Sequence, residues 1–261
     1  MIQTISILGG HSKSGQPEPV QRIDLKMGDV VSIVGPTGSG KTTFINDIEL
    51  FADRNTPTGR RILINGARPL AEYRDNPACN PIALITQHTT FLSDMPVADF
   101  LFTHARIRSA AHTQTTGMVE RTLAFANQLT GEPINVHSRM TELSGGQTRA
   151  LLIADATIIC NTPIVLLDEV ENAGIHRTRA LELLREYRKI FIFVTHDPRI
   201  TLLSDFRIVM REGSVVQVLR TDDAERKCAV KVSKLDDILS TLRDQIRLGQ
   251  RLTGLELEGL A

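Results

Sequence analysis

The chain has 261 residues, 41% of them hydrophobic, with 30 Lys plus Arg balanced by 30 Asp plus Glu and no Trp. That length buries a core as one large domain or a domain with a subdomain, and the composition excludes a disordered, fibrous or disulfide-stapled protein. Zero formal net charge argues against nucleic acid or an anionic membrane surface as a general partner.

Residues 2–8 are short, apolar and partly alternating, a predicted strand that Gly9-Gly10 ends. A polar loop over 11–19 leads to predicted strands at Val20–Leu25 and Val30–Val34 around a turn at Met27–Asp29. A glycine-rich loop and a helix from Lys41 to about Ala52 follow. Arg61–Ile64 reads as a strand closed by the turn signal Asn65-Gly66, residues 67–80 as loop, and Ile82–Thr86 as a strand. Helical spacing over 97–107 and 115–129 predicts a small helical insertion, with a connecting loop at 131–142 and a helix from Ser144 to Ile159. Then come strand Ile164–Leu167, helix 176–188, strand Ile190–Val194, helix 198–204, and strands Phe206–Met210 and Ser214–Leu219. Residues 221–234 are charged and end the pattern, and an amphipathic helix is expected over 235–248 as a docked cap or a dimer contact.

Cys79, Cys160 and Cys228 are odd in number and far apart, so neither a bridge framework nor a zinc knuckle is indicated, and a reducing compartment fits. No apolar run approaches the roughly 18–20 residues a bilayer span needs. The N-terminus lacks the pattern of a signal peptide. A membrane process would therefore require another chain for its membrane part.

Two segments carry chemistry. Gly35-Pro36-Thr37-Gly38-Ser39-Gly40-Lys41-Thr42, with Thr43 behind it, matches the phosphate-loop pattern in full, between an apolar strand and a helix. Its glycines let backbone N–H groups surround the phosphates, and the helix N-terminus adds partial positive charge. Lys41 is expected on the phosphate oxygens and the Thr42 hydroxyl on Mg²⁺. The second segment is the buried-type strand Ile164–Leu167 ending in Asp168-Glu169. Asp168 is placed to hold Mg²⁺ through water, and Glu169 to polarise the attacking water as general base.

Between them stands Leu143-Ser144-Gly145-Gly146-Gln147 before a helix. With the phosphate loop, Gln87 after one strand, the acidic pair after another and His196 after a third, the chain resembles a nucleotide-binding domain of the ATP-binding cassette family over roughly residues 1–220. The resemblance implies an α/β P-loop fold with a RecA-like core, an antiparallel β subdomain and a helical subdomain at about 88–145, leaving 221–261 as an extension. It implies ATP and Mg²⁺ as ligands, and a head-to-tail dimer with itself or with a second cassette subunit. Each ATP would lie between one subunit's phosphate loop and the other's Ser144, Gly145, Gly146 and Gln147. Gln87 would sense Mg²⁺ and the attacking water, and His196 would contact the γ-phosphate.

The pattern departs from the family at three places. The region where an aromatic residue stacks on adenine reads Gly9-Gly10-His11-Ser12-Lys13, leaving His11 or plain apolar contacts to hold the base. After Glu169 comes Val170-Glu171-Asn172-Ala173-Gly174-Ile175-His176, without the aspartate expected at 175. Phe91, Leu92 and Met95 line either a groove for a membrane partner or the subdomain core. The resulting expectation is an ATPase that energises a separate membrane-spanning protein. Such a chain is cytoplasmic, or peripheral on the inner face of the membrane, and does not itself insert. The alternative is a soluble cassette ATPase that remodels a protein or a metallocentre.

Overall fold

The computed structural model describes residues 2–108, 115–169 and 177–251. Its centre is a six-stranded sheet in the order β5 (Ile82–Ile85), β6 (Ile164–Asp168), β7 (Ile190–Val194), β3 (Val30–Val34), β8 (Phe206–Arg211), β9 (Ser214–Arg220). The first five run parallel and β9 antiparallel. Parallel strands are covered on both faces and read as continuous apolar runs. The run IFIFV of β7 is buried at every position, and β3 and β6 at all but their last.

A second sheet, β2 (Arg22–Lys26), β1 (Thr4–Leu8), β4 (Arg61–Ile64), is antiparallel throughout. Its strand β2 alternates strictly, with Ile23 and Leu25 buried and Arg22, Asp24 and Lys26 exposed, as a half-buried sheet requires. Helix α1 (Lys41–Glu49) packs beneath it, and Phe44, Ile45 and Ile48 share one core with Ile5, Ile7, Leu25, Ile62 and the central strands. After the one-turn helix α2 (Glu72–Asp75), helices α3 (Val97–Arg108), α4 (Thr115–Leu129) and α5 (Gly145–Ala154) pack around Leu101, Phe125, Leu129 and Leu151, in one core with Ile85, Val165 and Leu167 of the central sheet. Helices α6 (Arg177–Glu186) and α7 (Pro198–Leu203) complete the body.

Three elements differ from expectation. Helix α5 does not continue regularly to Ile159: a π-helical turn occupies Asp155–Ile159, in which the Cys160 N–H donates to the Asp155 carbonyl at 2.9 Å. The segment 67–80 is not all loop, since it holds α2. The charged stretch 221–234 is not a break but the first half of one 25-residue helix, α8 (Asp223–Arg247). Its start is capped by Asp222, whose Oδ1 accepts from the Glu225 N–H at 2.8 Å. Ion pairs hold it to the body, among them Arg207–Glu225 at 2.6 Å, Arg199–Asp236 at 2.7 Å and Arg226–Asp205 at 4.0 Å. Charges that look solvated in one dimension are anchors here. In the second half, Leu235, Leu239 and Ile246 are exposed.

A buried ionic knot joins three of these parts. Arg60, fully buried, meets the Glu18 carboxylate through Nη2 and Nε, Asp47 Oδ2 at 2.9 Å and the Gly213 carbonyl at 2.6 Å. Glu18 also accepts from the N–H groups of Gly10 at 3.0 Å and Val215 at 2.9 Å, and Asp47 from the Thr58 hydroxyl at 2.8 Å. The guanidinium lies 4.9 Å from the centre of the Phe44 ring. A buried charge is tolerable only when so fully partnered. Arg60→Met strands two buried carboxylates and is expected to cost about 3–5 kcal/mol in urea unfolding. Arg22→Met, which removes the exposed pair with Asp24, should leave the midpoint almost unchanged in the same experiment.

Candidate nucleotide site

Because β5, β6, β7 and β3 are parallel neighbours, everything that follows their C-terminal ends lands on one edge of the sheet. Gln87 follows β5, Asp168-Glu169 ends β6, His196 follows β7 and the phosphate loop follows β3. Ligands of open α/β sheets bind at this edge. An open cleft of about 290 Å³ lies there, lined by Lys13, Thr37, Gly38, Gly40, Lys41, Thr42, Thr43, Glu169 and His196.

The loop has the backbone its sequence demands. Gly38 and Gly40 have φ of 78° and 97°, a left-handed region where L side chains are strained. A Cβ on Gly35 would stand 2.3 Å from the Met210 carbonyl oxygen, and one on Gly40 would stand 3.0 Å from Gly213. The Lys41 ammonium, on a largely buried stem, donates to the carbonyls of Gly35 at 2.8 Å and Pro36 at 3.2 Å. Thr42 and Thr43 are exposed on the first turn of α1.

Glu169 leaves β6 in the left-handed region at φ 51°, with its N–H still donated to the Val194 carbonyl at 3.0 Å. A non-glycine residue held there is strained, which is common where a side chain is aimed at a site. Its carboxylate stands 3.4 Å from His196 Nε2. Asp168 pairs with Val194 across the ladder and is half-buried behind it. Hydroxyl and carboxylate oxygens are the donor set that suits Mg²⁺.

Three groups of expected residues stand apart from this cleft. Gln87 is exposed, and its backbone carbonyl accepts from Arg149 Nη2 of α5 at 2.6 Å. The signature segment caps α5: the Ser144 side chain accepts from the Gln147 N–H at 3.3 Å, and Gln147 Oε1 accepts from the Ser144 N–H at 3.0 Å. The motif is thus a capping box, and it leaves the first N–H groups of the helix, at exposed Gly145 and half-buried Gly146, with no acceptor inside the helix. None of residues 144–147 lines the cleft of their own chain. His11 is not in the cleft either; its ring lies against Gly59, where a Cβ would stand 2.4 Å from Cε1.

Lys13 lines the cleft instead, with its Nζ donating to the Gly38 carbonyl at 2.8 Å. No motif marks Lys13 or Arg149 in the sequence; both are placed by the fold. Residues 170–176 lie outside the described residues.

A phosphate loop, an acidic strand end and a histidine on one parallel edge, with a serine-glycine helix start elsewhere, define a P-loop ATPase of the cassette type. The family model for the ABC transporter matches residues 21–172. An uncharacterised ABC transporter ATP-binding protein of Methanocaldococcus jannaschii is 45% identical over 252 residues, covering 97% of this chain and 95% of the relative. The chain belongs to the ABC transporter family, as an ATP-binding, ATP-hydrolysing subunit. Solved structures share its fold, two of them being the following. One is cbiO1 of Clostridium perfringens, part of the cbiONQ transporter complex, with a TM-score of 0.65 at 20% identity, covering 95% of this chain and 98% of that one. The other is the ATP-binding cassette MJ0796, a dimer in a post-hydrolysis state with ADP and phosphate, with a TM-score of 0.62 at 22% identity, covering 84% and 99%.

Glycine substitutions separate fit from strain. Gly35→Ala drives a methyl group into the Met210 carbonyl. It is expected to abolish ATP binding in nucleotide titration and to lower stability by about 1–3 kcal/mol. Gly38→Ala meets open space and should show the smaller loss in both measurements.

Proposed function

We propose that two copies of the chain, or one copy and a second cassette subunit, close head to tail over two ATP molecules, and that hydrolysis energises a separate membrane-spanning protein. The single observation that carries this reading is the division of the motifs. The cleft holds the phosphate loop, Glu169 and His196, while Ser144, Gly145, Gly146 and Gln147 of the same chain lie outside it. A helix N-terminus whose first N–H groups have no acceptor inside the helix is an anion-binding end, and another chain's γ-phosphate is a fitting ligand for it.

In the closed site the loop N–H groups and Lys41 hold the β- and γ-phosphates, with Pro36, Thr37, Ser39 and Thr43 shaping the loop and the first helical turn. Thr42, Asp168 and Gln87 would hold Mg²⁺, which when bound neutralises phosphate charge. Glu169 takes a proton from water attacking the γ-phosphorus in line with the departing ADP oxygen. His196, within 3.4 Å of Glu169, orients that carboxylate and contacts the γ-phosphate. Lys13 reaches the nucleotide from the side where the family usually has an aromatic ring, and His11 remains at the rim for the base.

Arg149 links Gln87 to the signature helix by its 2.6 Å bond, so that the two motifs shift as a unit. Residues 1–220 form the cassette and 221–261 the extension. The surface for the membrane partner includes Leu92, Met95, Phe102 and Ile107, which are exposed on the helical side, whereas Phe91 packs inward on Phe100 at 5.0 Å between ring centres. Among the described residues no helix is long and apolar enough to cross a membrane. The chain works on the cytoplasmic face, bound to that partner.

Glu169→Gln should lower ATP turnover by about 10²–10⁴-fold while ATP-dependent dimerisation, followed by size-exclusion chromatography, persists. Unchanged turnover removes Glu169 from the base role. Shared sites are tested by mixing. Lys41→Ala and Gly145→Asp chains should each be inactive alone, and an equal mixture should regain roughly a quarter of wild-type activity, since half the dimers are mixed and each has one intact site. A mixture as inactive as its parts would rule out the shared site.

A further inference from the structure

Away from the nucleotide cleft, three side chains of metal-ligating type converge where the helical subdomain meets the far end of the signature helix. We propose that His104, Asp155 and Cys160 form a binding site for a thiophilic divalent cation, zinc by its donor set. Their ligand atoms all lie within 4.8 Å of one another. His104 Nδ1 is 2.8 Å from Asp155 Oδ1, Cys160 Sγ is 3.5 Å from Asp155 Oδ2, and His104 Nε2 is 4.0 Å from Cys160 Sγ.

The local backbone makes this meeting possible. Residues five apart on an α-helix point about 140° away from each other. The π-helical turn over Asp155–Ile159, closed by the Cys160 N–H to Asp155 carbonyl bond, widens the coil and turns both side chains to one side. Such turns recur at functional sites. His104 arrives from α3, so the three donors come from two separately packed elements.

The distances suit tetrahedral zinc. Bonds of about 2.3 Å to sulfur and about 2.0–2.1 Å to nitrogen or oxygen put neighbouring ligand atoms about 3.5 Å apart. The sulfur–carboxylate separation already has this value, and the 2.8 Å between His104 Nδ1 and Asp155 Oδ1 opens toward it as the hydrogen bond gives way to the metal. Nδ1 is the ring nitrogen that faces Asp155, 2.8 Å from Oδ1, so the metal takes Nδ1 in place of that hydrogen bond and leaves the imidazole proton on Nε2. A thiolate with an imidazole excludes Mg²⁺ and Ca²⁺ as the preferred ion. The His104 side chain is 25% exposed, which gives the ion an entry and leaves room for a water as fourth ligand. On binding, the Cys160 thiol releases its proton to solvent and sulfur donates a lone pair to the metal. The ion would pin α3 to the C-terminal turn of the helix whose N-terminus carries Ser144–Gln147.

The test uses the full chain with Cys79→Ser and Cys228→Ser, which leaves Cys160 as its one thiol. Cobalt should bind one per chain with tetrahedral visible bands and a thiolate-to-cobalt charge-transfer band, and zinc should displace it. Adding Cys160→Ser or His104→Gln should abolish that band and weaken zinc at least about 100-fold, more than loss of an outer-shell partner does. Circular dichroism without metal checks that each variant folds. Zinc should also block alkylation of Cys160 in the parent protein, a readout that needs neither ligand variant. Absence of the charge-transfer band, zinc affinity unchanged in folded Cys160→Ser, or alkylation unaffected by zinc would each overturn the proposal.

Discussion

Arg60 is where the molecule is held in one piece. It precedes β4 of the small sheet, Asp47 lies two turns into the phosphate-loop helix, Glu18 belongs to the loop after β1, and Gly213 is the turn between β8 and β9. Four segments distant in sequence thus close on one guanidinium. Buried charges in such a knot must satisfy one another, because no water is available to do so. The geometry that satisfies them also fixes Gly213 against Gly40, and so fixes the wall behind the phosphate loop. The position of the nucleotide site is in this sense an electrostatic requirement of the core.

Given that anchor, the parallel sheet does the rest. Each central strand delivers one functional segment to the same edge, and the register Asp168–Val194–Ile33 puts their ends at one level. The central strands are buried on both faces, so their ends are held rigidly. Strain is confined to single residues such as Glu169, beyond the last ladder position. The helices α3, α4 and α5 share a buried core with Ile85, Val165 and Leu167 of these strands, and Arg149 of α5 bonds to the Gln87 carbonyl beside the cleft.

Much of this was legible from the chain, for a physical reason. Strands β3, β4 and β7 have the bounds expected of them because continuous or alternating β-branched residues bracketed by turn formers leave little choice. The phosphate loop was legible because only glycine tolerates its dihedral angles and close approaches. Helix α8 was misread at its start, since the ion pairs of Glu225 with Arg207 and of Arg226 with Asp205 look in sequence like a solvated charge run. The π turn was invisible because it depends on one extra residue accommodated by packing, and periodicity over five residues cannot register it. The Arg60 knot leaves no local pattern, as its members are spread over residues 10–215. Lys13 replaces His11 at the cleft for a similar reason: the loop's path, set by Lys13 N–H to the Glu212 carbonyl at 3.0 Å, decides which side chain faces inward.

The continuous run from Ser144 through α5, the π turn and β6 to Glu169 has a mechanical meaning. At its start is the capped helix end offered to a neighbouring chain; at its finish are the carboxylates of the chain's own cleft. The run is a helix ending in a fully buried π turn at Asp155–Ile159, joined through residues 160–163 to a buried strand. In the head-to-tail pair proposed above, the run of each chain would place one end in each of the two sites.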